Sequence, residues 1–119
     1  GERFPLHCTA NGKAILACFS AEDAEELIDK SLSEHPDFPL KNRAKLQAEL
    51  EEIRKTHLAF DMEEHGAGIS ALGIAMLDPM GRPVAVSIPV PSQRFNEHKD
   101  DLSRQLKAFR KRIRAALAR

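Results

Sequence analysis

The chain has 119 residues, 42% hydrophobic and 30% charged, and its 18 basic and 18 acidic side chains cancel. That length holds one core and little more; there is no run of about 18 apolar residues to span a bilayer, no signal-peptide order in "GERFPLHC", and only Cys8 and Cys18 for disulfides. The expectation is one domain in a reducing, cytoplasmic setting, acidic in its middle (13 acids against 6 bases over Ser20 to His65) and basic at its end (9 bases against 3 acids over Arg94 to Arg119).

Arg3 to His7 reads as a short extended entry, after which Thr9 or Asn11 can cap a helix through Lys13, Ile15, Leu16 and Phe19. Ser20, with Asp23 three residues on, resembles a capping box and opens a helix striped by Ala24, Leu27, Ile28 and Leu32. Pro36 and Pro39 make "EHPDFPL" a connector. Leu40, Ala44, Leu46, Leu50 and Ile53 then stripe a third helix with a charged opposite face, ending near His57. From Leu58 the pattern changes: "LAFD", "GISALGIAMLD" and "RPVAVSIPV" are rich in small and branched residues and read as strands. Asp78, Pro79 and Gly81 supply turn chemistry, so Ile69 to Leu77 and Pro83 to Ile88 should form an antiparallel hairpin. Pro89 and Pro91 should end the pairing, and Asn96 should cap a last helix carrying Leu102, Leu106, Phe109, Ile113 and Leu117 on one face. Helices, then strands, then a helix, without alternation, predict an α+β domain built on an antiparallel sheet.

Several motifs invite chemistry. "NGK" at Asn11 to Lys13 fails as a phosphate loop, because His7 stands where an earlier Gly is needed and Ala14 where Ser or Thr would hold magnesium. The amides at that helix start remain potential anion donors. His7 and Cys8 are sequence neighbours, which in an extended segment sets them on opposite faces and argues against a nucleophile-base pair. The five histidines show no metal-ligand spacing, so neither metal nor cofactor is expected. Asp61, Glu63, Glu64 and His65, before Gly66 and Gly68, form a charged loop able to close over a pocket. An enzyme using Cys8 or this acidic cluster is the alternative reading. The basic final helix reads as a solvated face in preference to a DNA-binding one.

Three stretches in fixed order, "PLHCTANGKAILA", "THLAFDMEEHGAGISALGIAMLDPMGRPVAVSIPVPSQR" and the amphipathic helix after them, resemble the effector-binding domain of IclR-type transcriptional regulators. The first is similar to that family's H-x-(S/T)-A-x-G-K-A-(L/F)-L-A segment, the second to its G-Y-(A/S)-x-D-x-E-E segment, and the likeness runs from Arg3 to about Leu117. It implies a GAF-like domain, a central antiparallel sheet flanked by helices, that binds a small organic acid, forms a dimer or tetramer, and signals to a winged helix-turn-helix. It implies a sensor and no catalyst. By the same resemblance the ligand contacts are Ala10, Asn11 and Gly12, with Phe4 as a nearby wall, then Asp61, Ile69 and Ala71, then Ser87 and Pro89. Departures from the family pattern are Ala71 in place of a frequent Cys, Pro89 in place of a frequent Ser, and His57 and Leu58 where Gly-Tyr is usual. Fewer polar contacts point to a more apolar effector, an aromatic acid in preference to a very small oxo-acid. The resemblance further implies that residues 1–119 are the C-terminal two-thirds of the effector domain, with the DNA-binding domain and the first strands missing, contact with DNA only through that missing part, and none with membrane.

Overall fold

A computed structural model describes residues 4–118, in which four helices surround a three-stranded antiparallel sheet. Of the expected extended entry from Arg3 to His7, Arg3 falls outside the described residues and the rest is no strand: Phe4 and Pro5 have no regular structure, and Leu6 to Thr9 form a series of bends. Helix α1 spans Ala10–Leu16, α2 Ala21–Glu34 and α3 Arg43–Thr56; strands β1 Ala59–Met62, β2 Ile69–Leu77 and β3 Pro83–Pro91 follow, and α4 covers Ser92–Leu117. The α+β antiparallel class read from the sequence is the observed one.

The first three helices begin where polar side chains can satisfy their free amides. Thr9 accepts from Gly12 N at 3.0 Å, Ser20 from Asp23 N at 3.1 Å and Asn42 from Lys45 N at 3.0 Å. Helix α3 stops at His57, which takes a left-handed conformation (φ 62°) while its N–H bonds back to Ile53 O. The β2–β3 reversal is built on Asp78, whose Oδ1 accepts from the amides of Met80 and Arg82, with Gly81 at φ +80° making the turn.

The sheet order is β1-β2-β3, with Asp61 opposite Ala71 and Ala71 opposite Pro89. Alternation then divides the strands into two faces. One carries Ala59 and Ala75 into a core with Leu16, Ile28, Leu46, Leu50 and Ile53 of the first three helices. The other carries Leu72, Ile74, Met76 and Val90 into a second core with Phe95 and Leu106 of α4.

Four expectations need correction. The first helix ends at Leu16 and does not reach Phe19, and Leu40 lies ahead of α3, which starts at Arg43. Pro89 and Pro91 do not end the hairpin: β3 pairs on to Pro91, opposite Ile69. Ser92 N donates to Gly68 O, so even-numbered positions turn their amides to β2, and Pro83, Pro89 and Pro91 stand at odd positions whose missing N–H faces the open edge. Asn96 does not cap the last helix, which starts at Ser92 four residues earlier, directly from the strand and without a side-chain cap. Ser92 Oγ bonds Ser70 Oγ at 2.9 Å, and Phe95 is buried edge-on against Phe60, so tertiary contacts fix this first turn.

Candidate functional site

Strand pairing brings most of the sequence-derived site residues onto one face. Asp61, Ala71 and Pro89 form a row across all three strands; Ala59, Gly73 and Ser87 form the next, and Ile69 lies on the far side of the first beside Pro91. Side chains two apart on a strand share a face. The start of α1 lies on this same face, because a Cβ on Gly73 would sit 2.9 Å from the carbonyl carbon of Ala10. Toward Ile69, 44% exposed, and Pro89 the face opens to solvent, whereas Asp61 is buried and Ala71 and Ser87 are half-buried.

Four residues play parts the sequence did not disclose. Ala10 is packed on Gly73, and the space beside Gly12 is filled by the Leu6 backbone, so the small size of both serves chain crossing. Phe4 lines an open cavity of about 330 Å³ with Leu6 and the α2 residues Leu27, Lys30, Ser31 and Glu34, none of them from the sheet. Asn11 keeps a buried Oδ1 that has no hydrogen-bond partner, the only such side-chain atom among the described residues.

Beneath the α1 start lies a polar cluster that sequence reading missed. Lys13 is fully buried and its Nζ donates to Glu49 of α3 at 2.9 Å and to Glu64 of the β1–β2 loop at 2.6 Å. Burial alone would lower the ammonium pKa, but the two carboxylates outweigh it and the pKa is raised. Asp61 Oδ1 accepts from Glu64 N at 2.8 Å, and Glu63 takes a left-handed turn (φ 61°), so the loop folds back to deliver Glu64 to Lys13. The one clue in the sequence was a lysine in an otherwise apolar helix.

The same contacts remove the parts a thiol enzyme would need. Both ring nitrogens of His7 are engaged, Nδ1 with Ser31 Oγ at 2.8 Å and Nε2 with Phe38 O at 2.6 Å. Burial, then the charges of Asp61 and Glu64, push the Cys8 thiol up to about 11, so it stays protonated and weakly nucleophilic at neutral pH. His65 stacks on Phe38 with ring centroids 5.0 Å apart. Of the acidic cluster, Asp61, Glu63 and Glu64 are bound up in loop structure.

No described helix is long and apolar enough to cross a membrane. Residues 1–115 match the family described as bacterial transcriptional regulator IclR C-terminal. The HTH-type transcriptional regulator Rv1719 of Mycobacterium tuberculosis is 38% identical over 115 residues, 97% of this chain and 44% of that protein. The crystal structure of Thermotoga maritima IclR superposes with TM-score 0.72 at 34% identity, over 96% of this chain and 47% of that one. An inducer-binding domain of the Acinetobacter transcription factor PobR, solved as a double mutant with 3-hydroxybenzoic acid, shares the fold (TM-score 0.78, 23% identity, 96% of this chain and 69% of that one). The chain thus spans under half the length of the Mycobacterium relative, which is named for regulation and not for catalysis. Matched along nearly its whole length in sequence and fold, the chain belongs to the IclR family of bacterial transcriptional regulators, as the C-terminal domain of such a protein.

Proposed function

We propose that this domain senses a small organic acid, an aromatic one in preference to a very small oxo-acid, and as part of a cytoplasmic homo-oligomer controls DNA binding by a winged helix-turn-helix outside these residues. The observation that carries the reading is the buried, unpartnered Asn11 Oδ1 at a helix start laid on the open sheet face of Asp61, Ile69, Ala71, Ser87 and Pro89. A buried acceptor without a donor is costly, and a bound group relieves it. Because Oδ1 only accepts, the ligand group that meets it is a donor, a hydroxyl on such an acid, and not the ionised carboxylate. Ser87 serves as a further polar contact, Ile69 and Ala71 as walls, and Phe4, Ala10 and Gly12 as the support that shapes the α1 start. The PobR domain of like fold, whose bound acid carries both a hydroxyl and a carboxylate, supports this class of ligand.

A thermal-shift screen of hydroxylated aromatic acids against small oxo-acids tests it. A ligand at one hundred times its Kd should stabilise the fold by about 2.7 kcal/mol, and Asn11→Ala and Ser87→Ala should each weaken binding. A well-folded sample that no acid stabilises would count against the reading, as would a hit indifferent to both substitutions.

A further inference from the structure

The end of β2 farther from Ala71 holds a second constellation, its strand residues Ala75 to Leu77 lying about 13–20 Å along the strand from Ala71 at the usual rise per residue. There Arg110 and Arg114 of α4 meet Arg54 and His57 from the end of α3 around an open cavity of about 400 Å³, floored by Ala14 and Ile53. Among the described residues no Asp or Glu lines it. Arg54 is accounted for by Glu51 and by Phe19 O at 3.0 Å. Arg110 is half-buried and anchored through Nε to Ala75 O at 3.1 Å, and among the described residues neither its Nη groups nor the Arg114 guanidinium has a hydrogen-bond partner.

Two arginines one turn apart on a helix repel each other. The carbonyl ends of α1 and α3 lie nearby and supply partial negative charge, about half a unit per helix at most. Capping amides already use part of that, since His57 N binds Ile53 O and Cys18 N binds Ile15 O. The positive charge facing the cavity therefore exceeds what the fold supplies to balance it. A guanidinium pinned by its Nε, with its Nη edge free, is suited to two parallel bonds with an oxyanion. Next to it lies an apolar floor.

We infer that this cavity binds a small phosphate-bearing anion, its oxygens taken by Arg110 and Arg114 and any organic body resting on Ala14 and Ile53. This is separate from the effector face and stands or falls without it. His57 reports on it: burial and the charges of Arg110, Arg114 and Lys107 all disfavour its protonation, and a bound anion offsets the two arginines.

The test follows the His57 imidazole by NMR through a pH titration of the 119-residue chain, with inorganic phosphate, phenyl phosphate, or chloride at matched ionic strength. Phosphate and phenyl phosphate should raise the His57 titration midpoint saturably, and chloride should not. Equal affinity for the two identifies free phosphate as the ligand, whereas tighter phenyl phosphate identifies an organic phosphate. Arg114→Gln, at an exposed position that folding does not need, should itself raise the midpoint and weaken anion binding about tenfold. Asn11→Ala should leave the response unchanged. The inference fails if chloride acts as phosphate does, if Arg114→Gln binds as tightly as the parent chain, or if Asn11→Ala abolishes the response.

Discussion

Gly12, a ligand contact by resemblance, has a packing role as well: a Cβ there would sit 2.4 Å from Leu6 Cα and 2.5 Å from Leu6 O, both backbone atoms that cannot swing aside. Gly12→Ala should therefore cost about 3 kcal/mol in denaturant unfolding, in the range for overpacking a tight site, and an unchanged midpoint would contradict this packing. Thr9 and Ser20 were legible as caps because a cap is settled within four residues. The crossing of Leu6 over Gly12 depends on how the entry segment folds back, which no local pattern records. Cys8 gives a pH prediction at the same scale. Its thiol is raised from 9.0 to about 11, so the native state holds its proton more tightly than the unfolded chain. Stability from this group is whole below pH 9.0 and is lost as pH climbs toward about 11. Thermal melts across that window should show Tm falling, with a shallower fall in Cys8→Ala.

At the scale of elements, Lys13 joins α1 to α3 and to the β1–β2 loop through one ammonium. Lys13→Met should cost about 3 kcal/mol, the low end for breaking a buried ion pair, because Glu49 and Glu64, each 35% exposed, regain water when released. The same change should speed hydrogen exchange in residues 63–68 more than in α2, and uniform protection across both would argue against the Lys13 tie. The native lysine pKa is raised as well, so this tie is intact below the ordinary value of 10.5 and fails as pH rises through the native one, adding to the alkaline loss at Cys8. The four helices and three strands were legible because their apolar periods are strong. Their ends were less so: Asn96 is a good cap by composition, but the Ser92–Ser70 bond and burial of Phe95 start the helix four residues earlier. The candidate site was legible only through resemblance. It assembles from three strands and a helix start, and no spacing within one segment shows that Asp61, Ala71 and Pro89 stand in a row.

For the whole molecule, the sheet is a partition with a separate core on each side. Ile28 and Ile74 are both fully buried, one in each core. Ile28→Val and Ile74→Val should each cost about 0.5–1.5 kcal/mol, and in the double variant the costs should add within about 0.5 kcal/mol, as for sites with no shared neighbours. A larger coupling in urea unfolding would mean that the sheet transmits packing strain from one side to the other. The edge of that sheet also carries information. Of the five outward-facing positions on β3, Pro83, Pro89 and Pro91 have no hydrogen to give, which leaves Ala85 and Ser87 as the amide donors along a nine-residue border. Any strand that docks there finds amide donors at those two positions alone. The prolines thus strip the border of most of its donors and weaken the backbone pairing from which indiscriminate sheet growth begins.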